Sequence, residues 1–202
     1  MTRHLFATIA LMVVVAPCTS PAQTTSASSR TREIAQLFSK SKHSVKEKRG
    51  VRVEKYKNVT AEPVVASNPA NYSGTYRSLD FDFTIRLQVA ANGLVEGSGI
   101  DVLDSESHIA RPFTLEKATI DGALFTATKV YRDGRRESIE GVFIDRTSHD
   151  SPDDPGVKVF GLGVLAKAMQ IDGSTIDRLF YERVVSVDVG FRPVHTDAHR
   201  AN

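Results

Sequence analysis

Tryptophan is absent from the 202 residues, and cysteine occurs once, at Cys18. After the N-terminal segment, no stretch is long and apolar enough to cross a membrane as a helix. The sequence also contains no glycine-rich phosphate loop, no nucleophile elbow and no zinc-protease helix. These absences exclude a disulfide-stapled scaffold, a helical membrane protein and the enzyme classes that carry those motifs. No cofactor is predicted.

The N-terminal segment, Met1 to Ala22, has the three parts of a secretory signal peptide. A short basic start precedes an apolar core from Leu5 to Ala16, and small residues follow. The pattern predicts cleavage after residue 22 and a secreted or periplasmic protein, with an uncleaved anchor as the alternative. A lipid anchor on Cys18 is disfavoured, because Pro17 stands where a lipoprotein cleavage box has Gly, Ala or Ser.

The segment from Phe81 to Leu103 predicts a β-hairpin, and the following segments repeat its pattern of strand and turn. Apolar and polar residues alternate with a period of two from Phe81 to Ala90, which places one set on each face of a strand. Asn92-Gly93 then supplies the residues of a tight hairpin turn. Similar turn pairs follow at Asp121-Gly122, Asp133-Gly134 and Asp172-Gly173. Because no long amphipathic helix separates these runs, the sequence predicts sequential antiparallel strands rather than βαβ units.

We expect seven or eight strands between residues 71 and 192, and a flexible tail from 193 to 202. That number is typical of a small closed up-and-down barrel with no open strand edge, and a two-sheet sandwich is the alternative. The apolar positions between Ile109 and Ile120 change parity, which indicates a bulge. Thr147 to Gly156 is predicted to be a loop. Val157 to Met169 is apolar on both parities, so this strand should be covered on both faces.

The predicted barrel opens with Gly74-Thr75-Tyr76. A glycine and an aromatic residue in this spacing, ahead of a meander, resemble the opening of barrels of the lipocalin and streptavidin kind. The resemblance implies a calycin-like architecture only, since those families usually have Trp where Tyr76 stands. The tryptophans that pack on biotin in the streptavidin group have no counterpart in this sequence, so that ligand is not implied.

The segment before the barrel, residues 23–70, is a basic arm. Gln23 to Ser29 is rich in Thr, Ser and Ala, and this composition predicts disorder. Arg30 to Lys57 carries ten Lys or Arg against three Glu, a net charge of +7, whereas the chain from Asn58 onward has a net charge of −6. The near-neutral total therefore hides two oppositely charged parts.

Two elements are predicted within the arm. Ile34, Leu37 and Phe38 have helical spacing and predict a helix of about two to three turns, capped by Ser29 or Thr31. Such a helix is marginal alone, so we expect it to dock on the barrel, where it is a candidate cover for the strand that is apolar on both parities. Val51 to Tyr56 alternates and predicts a strand.

The candidate ligand-binding residues are polar-tipped aromatic side chains and a cationic pair at a strand start. They are Tyr76, Tyr131, Tyr181, His108 and Arg111. Glycine also recurs on single strand faces, as Gly97 with Gly99 and as Gly161 with Gly163. Glycine inside a strand marks a bulge or a close approach. We interpret these pairs as places where a neighbouring ring packs, with a ligand cavity as the alternative.

No catalytic and no metal-binding residue is predicted. Ser148-His149-Asp150 are adjacent in sequence, whereas triad residues come from distant positions, and the nearby Asp residues lack the spacing of an EF-hand. Two functions follow from the pattern. One is a barrel that binds a small, partly apolar ligand, and the other is a cell-envelope protein whose segment Arg30 to Lys57 contacts an anionic surface.

A small barrel enzyme of isomerase or cyclase type is a third alternative, based on fold analogy alone. Nucleic acid is not an expected partner, because the arm has few aromatic residues for stacking and no recognisable module.

Overall fold

The computed structural model describes residues 22–48, 51–78, 83–102, 110–171 and 174–184. It contains one α-helix, one short 3-10 helix (Pro69–Tyr72) and ten strands. The α-helix and the strands are α1 (Ala22–Leu37), β1 (Lys40–Lys48), β2 (Val51–Pro63), β3 (Gly74–Ser78), β4 (Thr84–Val89), β5 (Val95–Val102), β6 (Ala110–Asp121), β7 (Leu124–Tyr131), β8 (Arg136–His149), β9 (Val157–Ile171) and β10 (Ser174–Val184).

Strands β3 to β10 form a closed antiparallel barrel. Each strand pairs with the next one along the chain, and β10 pairs with β3 to close the ring of eight. This meander order confirms the predicted closed barrel, and the sandwich alternative is wrong. The predicted turn at Asp172-Gly173 and the tail from 193 to 202 lie outside the described residues.

The burial of the strands follows the alternation in the sequence. In β4, Ile85, Leu87 and Val89 are buried while Arg86 and Gln88 are exposed. The predicted bulge is present in β6, where the pairing with β7 shifts between Glu116 and Thr119. A positive φ of 51° at Lys117 accompanies this shift. The extra residue turns the later apolar residues of β6 back toward the interior, which explains the change of parity in the sequence.

One end of the barrel interior is filled by aromatic side chains. Tyr72 stacks on Phe143 with ring centroids 4.2 Å apart, and Phe143 also stacks on Phe160 at 6.2 Å. The Tyr72 hydroxyl donates to a backbone carbonyl and lies within hydrogen-bond distance of Val64 O (2.9 Å) and Gly122 O (2.8 Å). The aromatic cluster therefore ties the connector before β3 to the barrel and occupies this end of the interior.

Helix α1 packs on the outer face of the barrel. Its buried residues Ile34 and Ala35, together with Phe38 directly after the helix, form a second apolar cluster with Val142 and Ile144. The Phe38 ring lies where a Cβ at Gly163 would be, 2.6 Å from that position, so the bare backbone of β9 makes room for it. This confirms the prediction that the arm helix covers β9.

The helix begins earlier than the predicted cap positions. It starts at Ala22. The composition predicts disorder for Gln23 to Ser29, but this segment lies within the helix. Arg30 anchors this part of the helix, because its guanidinium donates to both carboxylate oxygens of Glu140 on β8, at 3.1 and 2.7 Å. Tertiary contacts such as this ion pair extend a helix that its composition alone would leave marginal.

The arm also supplies a β-hairpin. The predicted strand at Val51 to Tyr56 is present within the longer β2, and β1 was not predicted. The second half of β2, Asn58–Pro63, pairs with β8, whereas the first half pairs with β1. The sequence predicts a loop at residues 147–149, but these residues extend β8. They do so because β2 and β9 pair with them there. No helix in the described part of the chain is long and apolar enough to cross a membrane.

Replacing Phe38 with Ala should lower the free energy of unfolding by roughly 3 kcal/mol, because it removes the ring that packs over Gly163. Leu37 provides the control, since it is 43% exposed and next in sequence. Leu37→Ala should change the stability by less than about 0.5 kcal/mol. Urea unfolding of the two variants measures the difference. Equal effects would show that the helix is not anchored through Phe38.

Candidate functional site

The barrel interior opens at the end opposite the aromatic cluster. A cavity of about 620 Å³ lies there, among the ends of β6 to β10. Its apolar wall comes from β8, β9 and β10 and consists of Ile139, Val164, Ala166, Met169 and Leu179. Its polar lining contains Arg111, Lys129, Tyr131, Arg135, Glu137, Ser138, Lys167 and Tyr181. The cavity is therefore amphipathic, and β8, β9 and β10 contribute both apolar and polar side chains to its lining.

A buried ion pair lies behind the polar wall. The Lys129 ammonium donates to both carboxylate oxygens of Asp101, at 2.9 and 2.7 Å. The two side chains are only 2% and 1% exposed, and the ammonium also lies 4.5 Å from the centroid of the Phe113 ring. Such a pair gains little net stability over apolar residues, but the loss of one partner leaves a costly unpaired charge.

Tyr131 links this pair to the mouth of the cavity. Its hydroxyl lies 2.7 Å from Asp101 Oδ2 and 2.8 Å from Glu137 Oε2. A phenol has one proton, so it donates to one of these carboxylates at a time. Burial, and then the negative charge of Asp101, raises the pKa of Tyr131 well above its ordinary value of 10.0. The phenol therefore stays protonated and holds the polar wall together.

Tyr181 differs from Tyr131 in having no partner. Its side chain is fully buried and lines the cavity, yet its hydroxyl forms no hydrogen bond with the described residues. Burial raises the pKa of Tyr181 well above 10.0, and the charge of Asp101 adds to this, so the hydroxyl keeps its proton. A buried hydroxyl without a partner costs about 1–3 kcal/mol, which is why nearly all such groups are paired in folded proteins.

The cavity lining has an excess of positive charge. Arg135 pairs with Glu137 at 3.5 Å, and its guanidinium lies 4.3 Å from the centroid of the Tyr131 ring. Since Lys129 is neutralised by Asp101, the remaining charges of the described lining are those of Arg111 and Lys167. Lys167 is exposed, and the pKa of Glu140 is lowered first by its hydrogen bonds from Arg30 and also by the charge of Lys167. Arg111 forms no ion pair within the described residues.

The glycine pairs are occupied by side chains. A Cβ at Gly99 would overlap the Phe113 ring, and a Cβ at Gly97 would come within 2.6 Å of Leu115. Gly161 is covered by the Phe180 ring in the same way. The prediction that these glycines admit neighbouring rings is confirmed at three of the four positions, the fourth being Gly97 with its leucine. Gly99 also lines a concavity on the outer face of the barrel.

The structure brings together three of the five predicted ligand-binding residues. Tyr131, Tyr181 and Arg111 line the cavity. Tyr76 does not, because it is buried in the aromatic cluster, where its hydroxyl donates to Tyr72 O at 2.6 Å. His108 lies outside the described residues.

The sequence analysis missed the other polar residues of the site, which are Asp101, Lys129, Arg135, Glu137, Ser138 and Lys167. Lys129 stands between Ala127 and Tyr131 on the buried parity of β7. A charged residue at an inward position of a strand was the available signal, because such a residue needs a buried partner.

A second concavity, of about 670 Å³, lies on the outer face over β4 to β7. Most of its lining residues, such as Arg86, Ile100 and Val130, alternate with the buried positions of their strands. Although it is larger, it has no unpaired buried polar group. The cavity in the barrel interior is therefore the stronger candidate.

The described residues contain no group of three or more His, Cys, Asp or Glu side chains that could hold a metal ion. Comparison of the chain with protein-family models, curated proteins and solved structures found no match. The chemistry of the cavity is thus the basis for any functional proposal.

The two cavity tyrosines should respond in opposite ways to loss of the hydroxyl. Tyr131→Phe removes hydrogen bonds to charged groups and should lower the free energy of unfolding by about 1.5–3 kcal/mol. Tyr181→Phe removes a hydroxyl without a partner and should leave that free energy unchanged or raise it by up to about 1 kcal/mol. Urea unfolding of both variants tests this, and a marked destabilisation by Tyr181→Phe would contradict the unpaired state of its hydroxyl.

Proposed function

We propose that this protein binds a small, partly apolar ligand in the open end of its barrel, outside the cytoplasm. The observation that carries the proposal is the amphipathic cavity with the unpaired, fully buried hydroxyl of Tyr181 in its lining. The signal-peptide pattern of residues 1–22 supports an exported protein.

The size and lining of the cavity fit a ligand site. A volume of about 620 Å³ falls within the range of small-molecule pockets, which are mostly apolar with a few placed polar groups. The aromatic cluster closes the interior on one side, so a ligand would enter from the mouth and rest its apolar part on Val164 and Leu179. Interiors normally pack without voids of this size, so an open lumen requires an explanation other than stability.

Filling the cavity should abolish uptake of an apolar probe. Ala166 lies in the apolar wall and is partly buried against the core, so Ala166→Phe would place a ring in the cavity. We expect at least about a tenfold loss of affinity for the uncharged dye N-phenyl-1-naphthylamine, measured by fluorescence titration.

Ala90→Phe is the matched control, since residue 90 is exposed in the turn after β4. It should leave dye binding unchanged. Circular dichroism would confirm that both variants fold. Undiminished dye binding by a folded Ala166→Phe variant would refute binding in the interior and direct attention to the outer concavity.

A second function, attachment to an anionic surface, is favoured by the basic hairpin β1–β2. Lys42 stands directly opposite Lys57, and Lys55 stands opposite Ser44, so these lysines share one face of the ribbon. Lys40 is on the same face, and all four lysines are exposed. Like charges in directly opposed positions destabilise a sheet, and a bound anionic surface would relieve that repulsion.

Neutralising this face should weaken attachment to vesicles that contain anionic lipid. The variant replaces four lysines by Gln, at Lys40, Lys42, Lys55 and Lys57. The control removes four exposed cations of the barrel, at Arg86, Lys117, Arg132 and Arg178. We expect the first variant alone to lose most of its co-sedimentation with vesicles, and binding of the native chain to fall as salt is raised. Equal losses in the two variants would show that only the net charge matters.

A further inference from the structure

We propose that the ligand of the barrel cavity carries one acidic group, a carboxylate, which Arg111 and the Tyr181 hydroxyl bind, with an apolar body against the apolar side chains of β8, β9 and β10. This inference rests on the proposed ligand-binding function and specifies its ligand class. It follows from three properties of the lining: the pairing of its charges, its unused donors and its apolar residues.

The charges of the lining are paired except at two positions. Asp101 is neutralised by Lys129, and Glu137 is balanced by Arg135. Arg111 and Lys167 are the two lining cations without an ion pair among the described residues, and Arg111 is the more buried of the two. The segment 103–109 lies outside the described residues, so this balance covers the described lining only. A negatively charged group of a ligand would pair with Arg111.

The hydrogen-bond donors of the lining also favour a ligand with a carboxylate. The Tyr181 hydroxyl is buried and protonated, and it has no acceptor among the described residues. A carboxylate has two oxygens that accept hydrogen bonds, so it can bind a guanidinium and a phenol together. Asp101 does not fill this role, because it accepts from Lys129 at 2.9 and 2.7 Å and the Tyr181 hydroxyl forms no hydrogen bond to it.

The apolar part of the lining indicates the chemistry of the rest of the ligand. Val164, Leu179 and Met169 offer apolar surface without a hydrogen-bonding side chain. A small dianion or a sugar would leave this wall unused and would lose hydration there without compensation. An aliphatic monocarboxylate satisfies both walls.

The test is competition against N-phenyl-1-naphthylamine bound to the whole processed chain, with decanoate and decan-1-ol as matched competitors. Decanoate should displace the dye at about a tenfold lower concentration than decan-1-ol, as expected for a charge-assisted contact. In Arg111→Gln this preference should fall to less than about threefold, whereas Arg86→Gln, which removes the same charge from the outer face, should leave it intact.

The Tyr181→Phe variant tests the role of the hydroxyl in ligand binding separately from any role in folding. It should reduce the preference for decanoate without lowering the stability of the protein, a combination that a structural role of Tyr181 would not produce. Equal displacement by decanoate and decan-1-ol would overturn the acidic-ligand inference and leave the binding function standing. Failure of the native chain to bind the dye or either competitor would instead refute the binding function itself.

Discussion

The hydrogen-bonded pairing of β3 with β10 is the interaction on which the rest of this structure depends. Thr75–Ser78 pairs with Tyr181–Val184, and these strands are the first and last of the barrel. The entropic cost of joining distant segments rises only slowly with their separation, and closure removes both exposed sheet edges. Without this pairing there would be no enclosed space, and the residues that line the cavity would not be brought together.

The two ends of the enclosed space are built differently. At one end, Phe143 packs against four other aromatic rings, and the tyrosine hydroxyls among them reach backbone acceptors. At the other end, the wall holds Asp101, Lys129 and Tyr131, whose burial is expensive. This end of the barrel therefore combines a buried charged network with an open volume of about 620 Å³.

The basic arm divides into a docked part and a projecting part. Helix α1 is held by an apolar cluster and by the ion pair between Arg30 and Glu140, which lowers the pKa of Glu140. The hairpin beyond it pairs with the barrel through the second half of β2, Asn58–Pro63, on β8. In the hairpin, Lys42 stands directly opposite Lys57. The arm thus has a helix that packs on the barrel and a hairpin with exposed lysines.

The sequence by itself determined the strands and their buried faces. Period-two alternation in β4 and β7, glycine-containing turns and the parity change in β6 were all readable, because they depend on neighbours in sequence. The sequence also suggested Tyr131, Tyr181 and Arg111 as ligand-binding candidates. It did not suggest β1, since a strand of mostly polar residues shows no buried face.

Only the tertiary structure decided which inward-facing residues meet. Asp101 and Lys129 lie on strands that are not adjacent, and their pairing across the interior depends on the shear and curvature of the closed barrel. The same geometry placed Tyr76 in the aromatic cluster and Tyr181 in the cavity, although both are buried tyrosines on inward faces. Alternation in sequence fixes the face of a strand on which a residue lies, but its depth in the barrel and its partners across the interior are set by the pairing of all eight strands.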